Sequence, residues 1–171
     1  MRGMAMNDFI RENARPEDAA AILEYLKIVG GETDNLNMGA EGIPIAVEAE
    51  EAFLRSMLDS SDDVMYAAKA DGEIIGIANV SRLKRRMSHR ASIGISVRQC
   101  AWHCGVGTAL MASLLAFARK NGIAQLALEV RSDNGRATRL GERFGFTKSG
   151  TTPAFLQAHG ADLASDSLVL P

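Results

Sequence analysis

The stretch of this sequence best suited to binding a ligand is a short loop that contains Gly105 and Gly107. A run rich in β-branched residues at 93–97 precedes the loop, and a helical pattern of apolar residues follows it. Unpaired backbone N–H groups at a helix start attract phosphate, and glycine allows the close approach that a pyrophosphate needs. The spacing therefore indicates a phosphate-binding turn, and the alternative is a plain strand-to-helix turn.

Two familiar nucleotide motifs do not fit this loop. The dinucleotide fingerprint needs Gly or Ala where Leu110 stands, and the Gly-x-x-x-x-Gly-Lys-[Ser/Thr] sequence of a P-loop is absent. A second polar cluster lies further along the chain, where the apolar run 123–130 ends and a helical pattern begins near Asn134. Both clusters thus combine a strand end with a helix start.

Carboxylates and thiols supply the remaining candidate chemistry. Glu32 and Asp34 lie in a polar, glycine-bearing stretch and could bind a cationic amine or act as a base. The alternative is a helix C-terminus followed by a capping Asp. Cys100, His103 and Cys104 are close in sequence, but a fourth ligand at suitable spacing is missing, so we expect no metal.

The elements that must position these groups follow from hydrophobic periodicity and turn residues. Gly30 and Gly31 are expected to end the first helix, and Asp71-Gly72 supplies the positive φ of a tight hairpin. The order is β-α-α-β-β-β-α-β-α-β-β, a mixed α/β fold. The predicted strands are 8–14, 64–70, 73–83, 91–97, 123–130, 145–151 and 166–170, and the predicted helices are 15–31, 47–61, 105–120 and 133–144.

Composition narrows the class of protein. A chain of 171 residues with 47% hydrophobic residues fits one domain, which we place at 8–171 after an N-terminal tail at 1–7. The formal net charge of −2 argues against a dedicated nucleic-acid binder. No apolar run reaches the roughly 18 residues of a spanning helix, and no signal peptide is visible. We therefore expect no membrane partner and a cytoplasmic location, with both cysteines reduced.

The two clusters together resemble the GNAT superfamily of N-acetyltransferases. That family combines a V-x₄-[Q/R]-x-x-G-x-[G/A] loop with a later N-x-x-A-x-x-[L/F]-Y-x-x-x-G-F helix. The element order also fits over about residues 8–170, nearly the whole chain. The residues that match in type and spacing are Val97, Gly105, Gly107, Asn134, Ala137, Leu140, Gly145 and Phe146.

The resemblance implies a centrally splayed sheet whose parallel strands, 92–97 and 123–130, part to open a cleft for acetyl-CoA. In this family the first strand pairs with pantetheine, here through Ile95 and Val97, and the loop N–H groups hold the pyrophosphate. Asn134 would contact the pantetheine arm. The full set of implied cofactor-binding residues is Ile95, Ser96, Val97, Trp102, His103, Cys104, Gly105, Val106, Gly107, Thr108 and Asn134.

The sequence departs from the family pattern at four positions, one of which is His103, where the family often has Gly. Trp102 stands where the loop usually has Gln or Arg, and it fits either a hydrophobic plug or a ligand contact. Gly141 occupies the position of the tyrosine that commonly protonates the departing CoA thiolate. Ser92 stands where close relatives often have Glu. Both habitual acid/base side chains are therefore missing, which predicts a slow enzyme or substitutes elsewhere.

The function that the resemblance implies is direct transfer of acetyl from acetyl-CoA to the primary amine of a small molecule, in a ternary complex. Glu32 and Asp34 lie where this superfamily builds its acceptor pocket. One alternative is acetylation of a protein N-terminus, because 128–134 also resembles ribosomal-protein alanine acetyltransferases. Another is a catalytically weak acyl-CoA-binding or regulatory module. Homodimers are common in this superfamily, so the resemblance also makes a homodimer of this chain possible.

Overall fold

A computed structural model describes residues 8–171, and the predicted N-terminal tail at 1–7 lies outside the described residues. The four helices are α1 (Ala19–Glu32), α2 (Val47–Leu58), α3 (Val106–Lys120) and α4 (Gly135–Arg143). The seven strands are β1 (Ile10–Asn13), β2 (Asp63–Ala70), β3 (Glu73–Arg82), β4 (Arg90–Val97), β5 (Gln125–Arg131), β6 (Thr147–Ala158) and β7 (Ala161–Leu170). The predicted order of strands and helices is confirmed.

All seven strands of the described chain form one sheet of order β1-β2-β3-β4-β5-β7-β6. β4 and β5 are the parallel pair, and every other neighbouring pair is antiparallel. The parallel pairing begins at Arg90↔Gln125 and stops at Ile93↔Leu128, although both strands continue beyond it. The predicted central splay is therefore present, and it leaves one edge of the second half of β4 without a strand neighbour.

The core has one layer on each face of the sheet. Leu110 and Leu114 of α3 pack with Val80 and Ile93 on one face. On the other face, α1 and α2 bury Ile22 and Leu54 against β2 and β3 residues. Because side chains alternate across a strand, consecutive residues of β4 face these two layers in turn. A groove at the end of β4 can therefore reach both layers.

The glycines of the first helix have a different role from the predicted one. α1 continues through Gly30 and Gly31 and ends at Glu32, where Thr33 is extended. Gly30 is buried, and a Cβ there would lie 2.1 Å from the backbone oxygen of Gly39. The residue thus allows the segment after α1 to fold back onto the helix, a contact that no local pattern reveals.

The last two strands are longer than predicted and form one hairpin. His159 and Gly160 turn the chain with φ of 50° and 75°. Register shifts follow Lys148 and Thr152, so the edge strand β6 accommodates Pro153 and its missing N–H. The buried Asp166 of β7 accepts hydrogen bonds from Ser132, Thr151 and Lys148. This side chain ties the hairpin to the loop after β5.

We predict that Gly30→Ala destabilises the fold by about 1–3 kcal/mol, because overpacking forces backbone shifts of this order. Gly31→Ala is the matched control, since its Cβ would lie 3.4 Å from the Ala40 Cβ, an ordinary contact. That control should be neutral or stabilising by about 0.5 kcal/mol, because alanine favours helix over glycine. Equilibrium urea unfolding measures both, and equal stability of the two variants would contradict the close-approach role of Gly30.

Candidate active site

A groove of about 520 Å³ opens where β4 and β5 part. Its floor is the freed end of β4, with Ile95, Ser96 and Val97. One wall is the glycine loop with the start of α3, and a second wall is α4. The end of α1 and the segment after it contribute Val29, Thr33, Asn35 and Leu36. The groove therefore spans both faces of the sheet at the splay.

The glycine loop presents unpaired backbone donors to this groove. His103 and Gly105 have φ of 63° and 82°, and α3 begins at Val106. The backbone N–H of Ala109 donates to the Gly105 oxygen and is the first to find an acceptor within α3. The N–H groups of the residues just before Ala109 therefore have no carbonyl acceptor inside the helix. Together with the positive end of the α3 dipole, they make this concavity suited to an anion.

Gly107 lies where the start of α3 meets α4. A Cβ on Gly107 would lie 3.3 Å from Leu140 Cδ2 and 4.0 Å from Val97 Cγ2. A larger side chain would therefore have to displace Leu140 or project into the groove beside the loop N–H groups. The glycine keeps these donors accessible.

Trp102 is fixed by two contacts rather than packed as a simple hydrophobic plug. Its Nε1 donates to the Val97 oxygen at 2.9 Å, and the Arg136 guanidinium lies 3.3 Å from its ring centroid. The next residue, Arg98, donates its N–H to the Ile75 oxygen of β3. Since alternate residues of a strand direct their backbone groups to opposite edges, Ile95 shares the groove edge with Val97. Trp102 already occupies one acceptor of that edge.

Three arginines of α4, which our interpretation of the sequence missed, line the groove. Arg136, Arg139 and Arg143 follow the i, i+3, i+7 spacing of one helix face, a signal the sequence does contain. Arg143 donates to Thr108 Oγ1 at 2.6 Å. Burial lowers the pKa of Arg136, and the neighbouring Arg139 lowers it further. An anionic ligand would relieve this crowding of positive charge.

The structure brings together ten of the eleven residues predicted to bind the cofactor. Asn134 lines the groove and also caps α4, because its Oδ1 accepts from the Ala137 N–H at 3.2 Å. Cys104 is the exception. Its thiol donates to the Trp102 oxygen, with the sulfur 3.4 Å away, and it packs against the core. The thiol is therefore held within the protein, and cofactor binding by the backbone N–H of Cys104 stays a prediction.

Glu32 and Asp34 flank the groove, and the residue between them, Thr33, lines it. Glu32 accepts from the Gln99 N–H at 2.7 Å, and its second oxygen lies 3.6 Å from Arg98 Nε. Asp34 lies 3.1 Å from His159 Nε2, at the turn of the β6–β7 hairpin. Each carboxylate thus joins two parts of the chain that are distant in sequence.

The missing tyrosine has a packing explanation. Gly141 is buried, and a Cβ there would lie 3.1 Å from Leu168 Cδ1 and 3.6 Å from Phe146 Cβ. α4 packs too closely on the sheet for a tyrosine to replace this glycine without displacing the core. Ser92, in place of the family glutamate, is exposed on β4.

A hydroxyl pair that sequence analysis did not anticipate lies at the floor of the groove. The Tyr25 hydroxyl of α1 is 2.9 Å from Ser96 Oγ of β4. Burial is the main cause that raises the pKa of Tyr25 well above its ordinary value. The phenol is therefore protonated. It holds the side chain of Ser96, which lines the groove, through a hydrogen bond from the side of α1.

Two negative findings apply to residues 8–171. No group of three or more His, Cys, Asp or Glu side chains could hold a metal ion there. No helix in that range is both long enough and apolar enough to cross a membrane.

Known proteins resemble this chain in sequence and in structure. Residues 34–146 match the acetyltransferase (GNAT) family. The N-alpha-acetyltransferase RimI of Mycobacterium tuberculosis is 34% identical over 112 residues, which cover 65% of this chain and 68% of RimI. A match of the same identity to a longer mycobacterial protein covers 30% of that protein.

Among solved structures, an acetyltransferase of the GNAT family from Streptococcus pneumoniae superposes with a TM-score of 0.89 at 26% identity, covering 95% of this chain and 98% of that one. A phosphinothricin acetyltransferase of Sinorhizobium meliloti, solved in complex with AcCoA, shares the fold with a TM-score of 0.79 at 22% identity. That match covers 96% of this chain and 88% of the other. From the family match over residues 34–146 and the shared fold, the chain belongs to the acetyltransferase (GNAT) family.

Proposed function

We propose that this chain transfers the acetyl group of acetyl-CoA to the primary amine of a small molecule, by direct attack in a ternary complex. The observation that carries the proposal is the groove at the β4–β5 splay, where loop N–H groups and arginines face a freed strand edge. A polyanionic, extended thioester has the charge and the shape for this surface. Membership of the GNAT family supports the same reaction.

The groove residues fit the parts of acetyl-CoA in turn. The loop N–H groups at the start of α3, with Arg139 and Arg143 nearby, would hold phosphate oxygens. The freed edge of β4 at Ile95 would pair with the amides of the pantetheine arm, as a neighbouring strand does. Asn134 at the start of α4 would contact the same arm. Bound in this way, acetyl-CoA supplies an activated acyl group.

Acetyl transfer does not require the missing tyrosine and glutamate. A thiol pKa of about 8.5 makes thiolate a tolerable leaving group near neutral pH. Orientation of the two substrates, and hydrogen bonds from freed β4 N–H groups to the developing oxyanion, would lower the barrier. General acid/base assistance typically contributes about 10²–10⁴-fold, so we expect slow turnover with Gly141 and Ser92 in place.

The acceptor side of the groove favours a small amine. Thr33, Asn35 and Leu36 line this side, and the contact between Asp34 and His159 joins their segment to the β6–β7 turn. We expect the turn to bound the acceptor end, which would leave less room for a peptide. Binding of the amine by Asp34 or Glu32 stays a prediction, and Asp34 is the more exposed of the two.

A peptide N-terminus is the second candidate acceptor, favoured by the 34% identity with RimI. The contact between Asp34 and His159 is exposed, and even a charged pair of exposed side chains contributes only about 0–1 kcal/mol. A peptide could therefore displace it.

A homodimer and a cytoplasmic location also stay predictions, and the outer edge of β6 is the free sheet edge on the C-terminal side.

The function is tested by following CoA release from acetyl-CoA over a panel of small amines, amino acids and N-terminal peptides. We expect turnover with at least one small amine and a thermal shift with acetyl-CoA alone. A preference for peptides would favour the second candidate acceptor. A thermal shift without turnover on any acceptor would identify an acyl-CoA-binding module, and no shift would contradict the cofactor assignment.

We predict that Gly107→Val weakens acetyl-CoA binding at least about tenfold, because the side chain displaces Leu140 or covers the loop donors. Gly150→Val is the matched control, since nothing lies within 4 Å of a Cβ there and its φ is not positive. Isothermal titration calorimetry gives both affinities, and thermal unfolding without ligand checks the fold. Equal affinities in the two folded variants would contradict the loop assignment.

Arg139→Gln should raise the Kd for acetyl-CoA about fivefold at low salt, since an exposed charge pair contributes up to about 1 kcal/mol. Arg119→Gln, at the exposed end of α3, removes the same charge outside the groove. Titrations at low and high salt show how much of each change in Kd is electrostatic, because salt screens exposed charges. We expect a salt-dependent loss for Arg139→Gln and little loss for Arg119→Gln. A loss that is the same for both variants, or independent of salt, would argue against phosphate binding by α4.

A further inference from the structure

The pair formed by Tyr25 and Ser96 lies at the place where two substrates would meet. Side chains of β4 alternate, so Ile95 and Val97 face the layer of α3 while Ser96 faces α1. Ser96 also lies beyond Ile93, the last β4 residue that pairs with β5. Its hydroxyl therefore stands at the splay, between the wall formed by α3 and α4 and the acceptor side after α1.

The direction of the hydrogen bond follows from the burial of Tyr25. The side chain is 2% exposed, and among the described residues Ser96 Oγ is its side-chain partner. The Ile77 backbone also hydrogen-bonds the phenol and lowers its pKa, so it donates to the phenol oxygen. If Ser96 donated as well, the phenolic proton would have no acceptor in the core, which is costly. Tyr25 is therefore the donor, and the Ser96 proton remains available for a ligand in the groove.

We propose that Ser96 is a catalytic residue whose hydroxyl donates a hydrogen bond to the sulfur of acetyl-CoA as the carbon–sulfur bond breaks, with Tyr25 as its positioning residue. This inference rests on the proposed acetyl transfer. The freed N–H groups of β4 can serve the carbonyl oxygen, whereas the sulfur needs a donor of its own. Ser96 is the hydroxyl of the β4 floor at the splay.

The step balances without a new co-reactant. The amine nitrogen forms the bond to the acetyl carbon, the carbon–sulfur bond breaks, and its electron pair goes to sulfur. The proton lost by the amine passes through water to the thiolate. Ser96 keeps its own proton, because a serine hydroxyl is a far weaker acid than a thiol of pKa about 8.5. Its contribution is stabilisation of the charge that develops on sulfur.

Kinetics of single and double variants test this arrangement. Ser96→Ala should lower kcat about 10- to 100-fold with little change in the KM for acetyl-CoA, the pattern of an interaction made in the transition state. Tyr25→Phe should lower kcat about threefold to tenfold through the same hydroxyl, so the double variant should be no slower than Ser96→Ala alone. Ser92→Ala, on the same strand and the same face, is the control and should keep wild-type kcat.

The inference would be overturned by a Ser96→Ala kcat within twofold of wild type. It would also be overturned if the loss of kcat in the double variant equalled the product of the two single losses. Thermal unfolding of each variant checks that the fold is kept.

Equilibrium binding gives a second test that needs no acceptor amine. The folded wild type should bind CoA at pH 9 several-fold more tightly than desulfo-CoA, because Ser96 bonds the thiolate. In Ser96→Ala this ratio should fall to about one while the affinity for desulfo-CoA is kept. An unchanged ratio would overturn the proposed role of Ser96 but would not contradict the proposed function. If the wild type bound neither ligand, the proposed function would fail, and the inference with it.

Discussion

The early parting of β4 from β5 determines how the groove and the helices around it are arranged. Parallel strands normally satisfy each other's backbone groups along their length, and here the pairing stops at Ile93↔Leu128. The backbone groups beyond that point need other partners. The protein supplies one of them, because Trp102 Nε1 bonds the Val97 oxygen. The rest of that edge is open to the groove, so the interruption of the sheet creates the groove itself.

Contacts from both layers hold the splay in its shape. On one side, α3 begins directly after the loop, and Arg143 of α4 bonds Thr108. On the other side, Glu32 at the end of α1 accepts from the Gln99 N–H just after β4. Gly30 lets the following segment lie against α1, which places it beside the groove. The groove is thus built from two layers that the sheet otherwise separates.

The chemistry that this site can perform follows from hydrogen bonding and orientation. Close packing around Gly141 leaves no space for the tyrosine acid of the family, and Ser92 replaces the glutamate. What the groove does contain is backbone N–H groups, arginines and the Ser96 hydroxyl supported by Tyr25. Such groups stabilise charge without changing their own protonation. A site of this kind suits transfer between substrates that it holds in fixed positions.

Three features could be predicted from the sequence because they depend on local signals: the order of the elements, the glycine loop and the family resemblance. Hydrophobic periodicity, the positive φ of Asp71-Gly72 and the glycines at 105 and 107 act within a few residues of chain. Most of the residues that line the groove beside α3 were predictable for this reason. The arginine face of α4 was visible in the spacing from Arg136 to Arg143, although our interpretation of the sequence did not use it.

The folded structure was needed to see which side chains meet across the groove. Tyr25 and Ser96 are 71 positions apart, and Asp34 and His159 are 125 apart. Gly30 was predicted to end the helix because glycine often does so. Its actual contact is with the backbone of Gly39 in a later segment, which the local pattern does not reveal. Contacts of this kind depend on how helices pack on the sheet and where strands part. Periodicity within a single element carries no record of that packing, so these partners emerge only when the chain is folded.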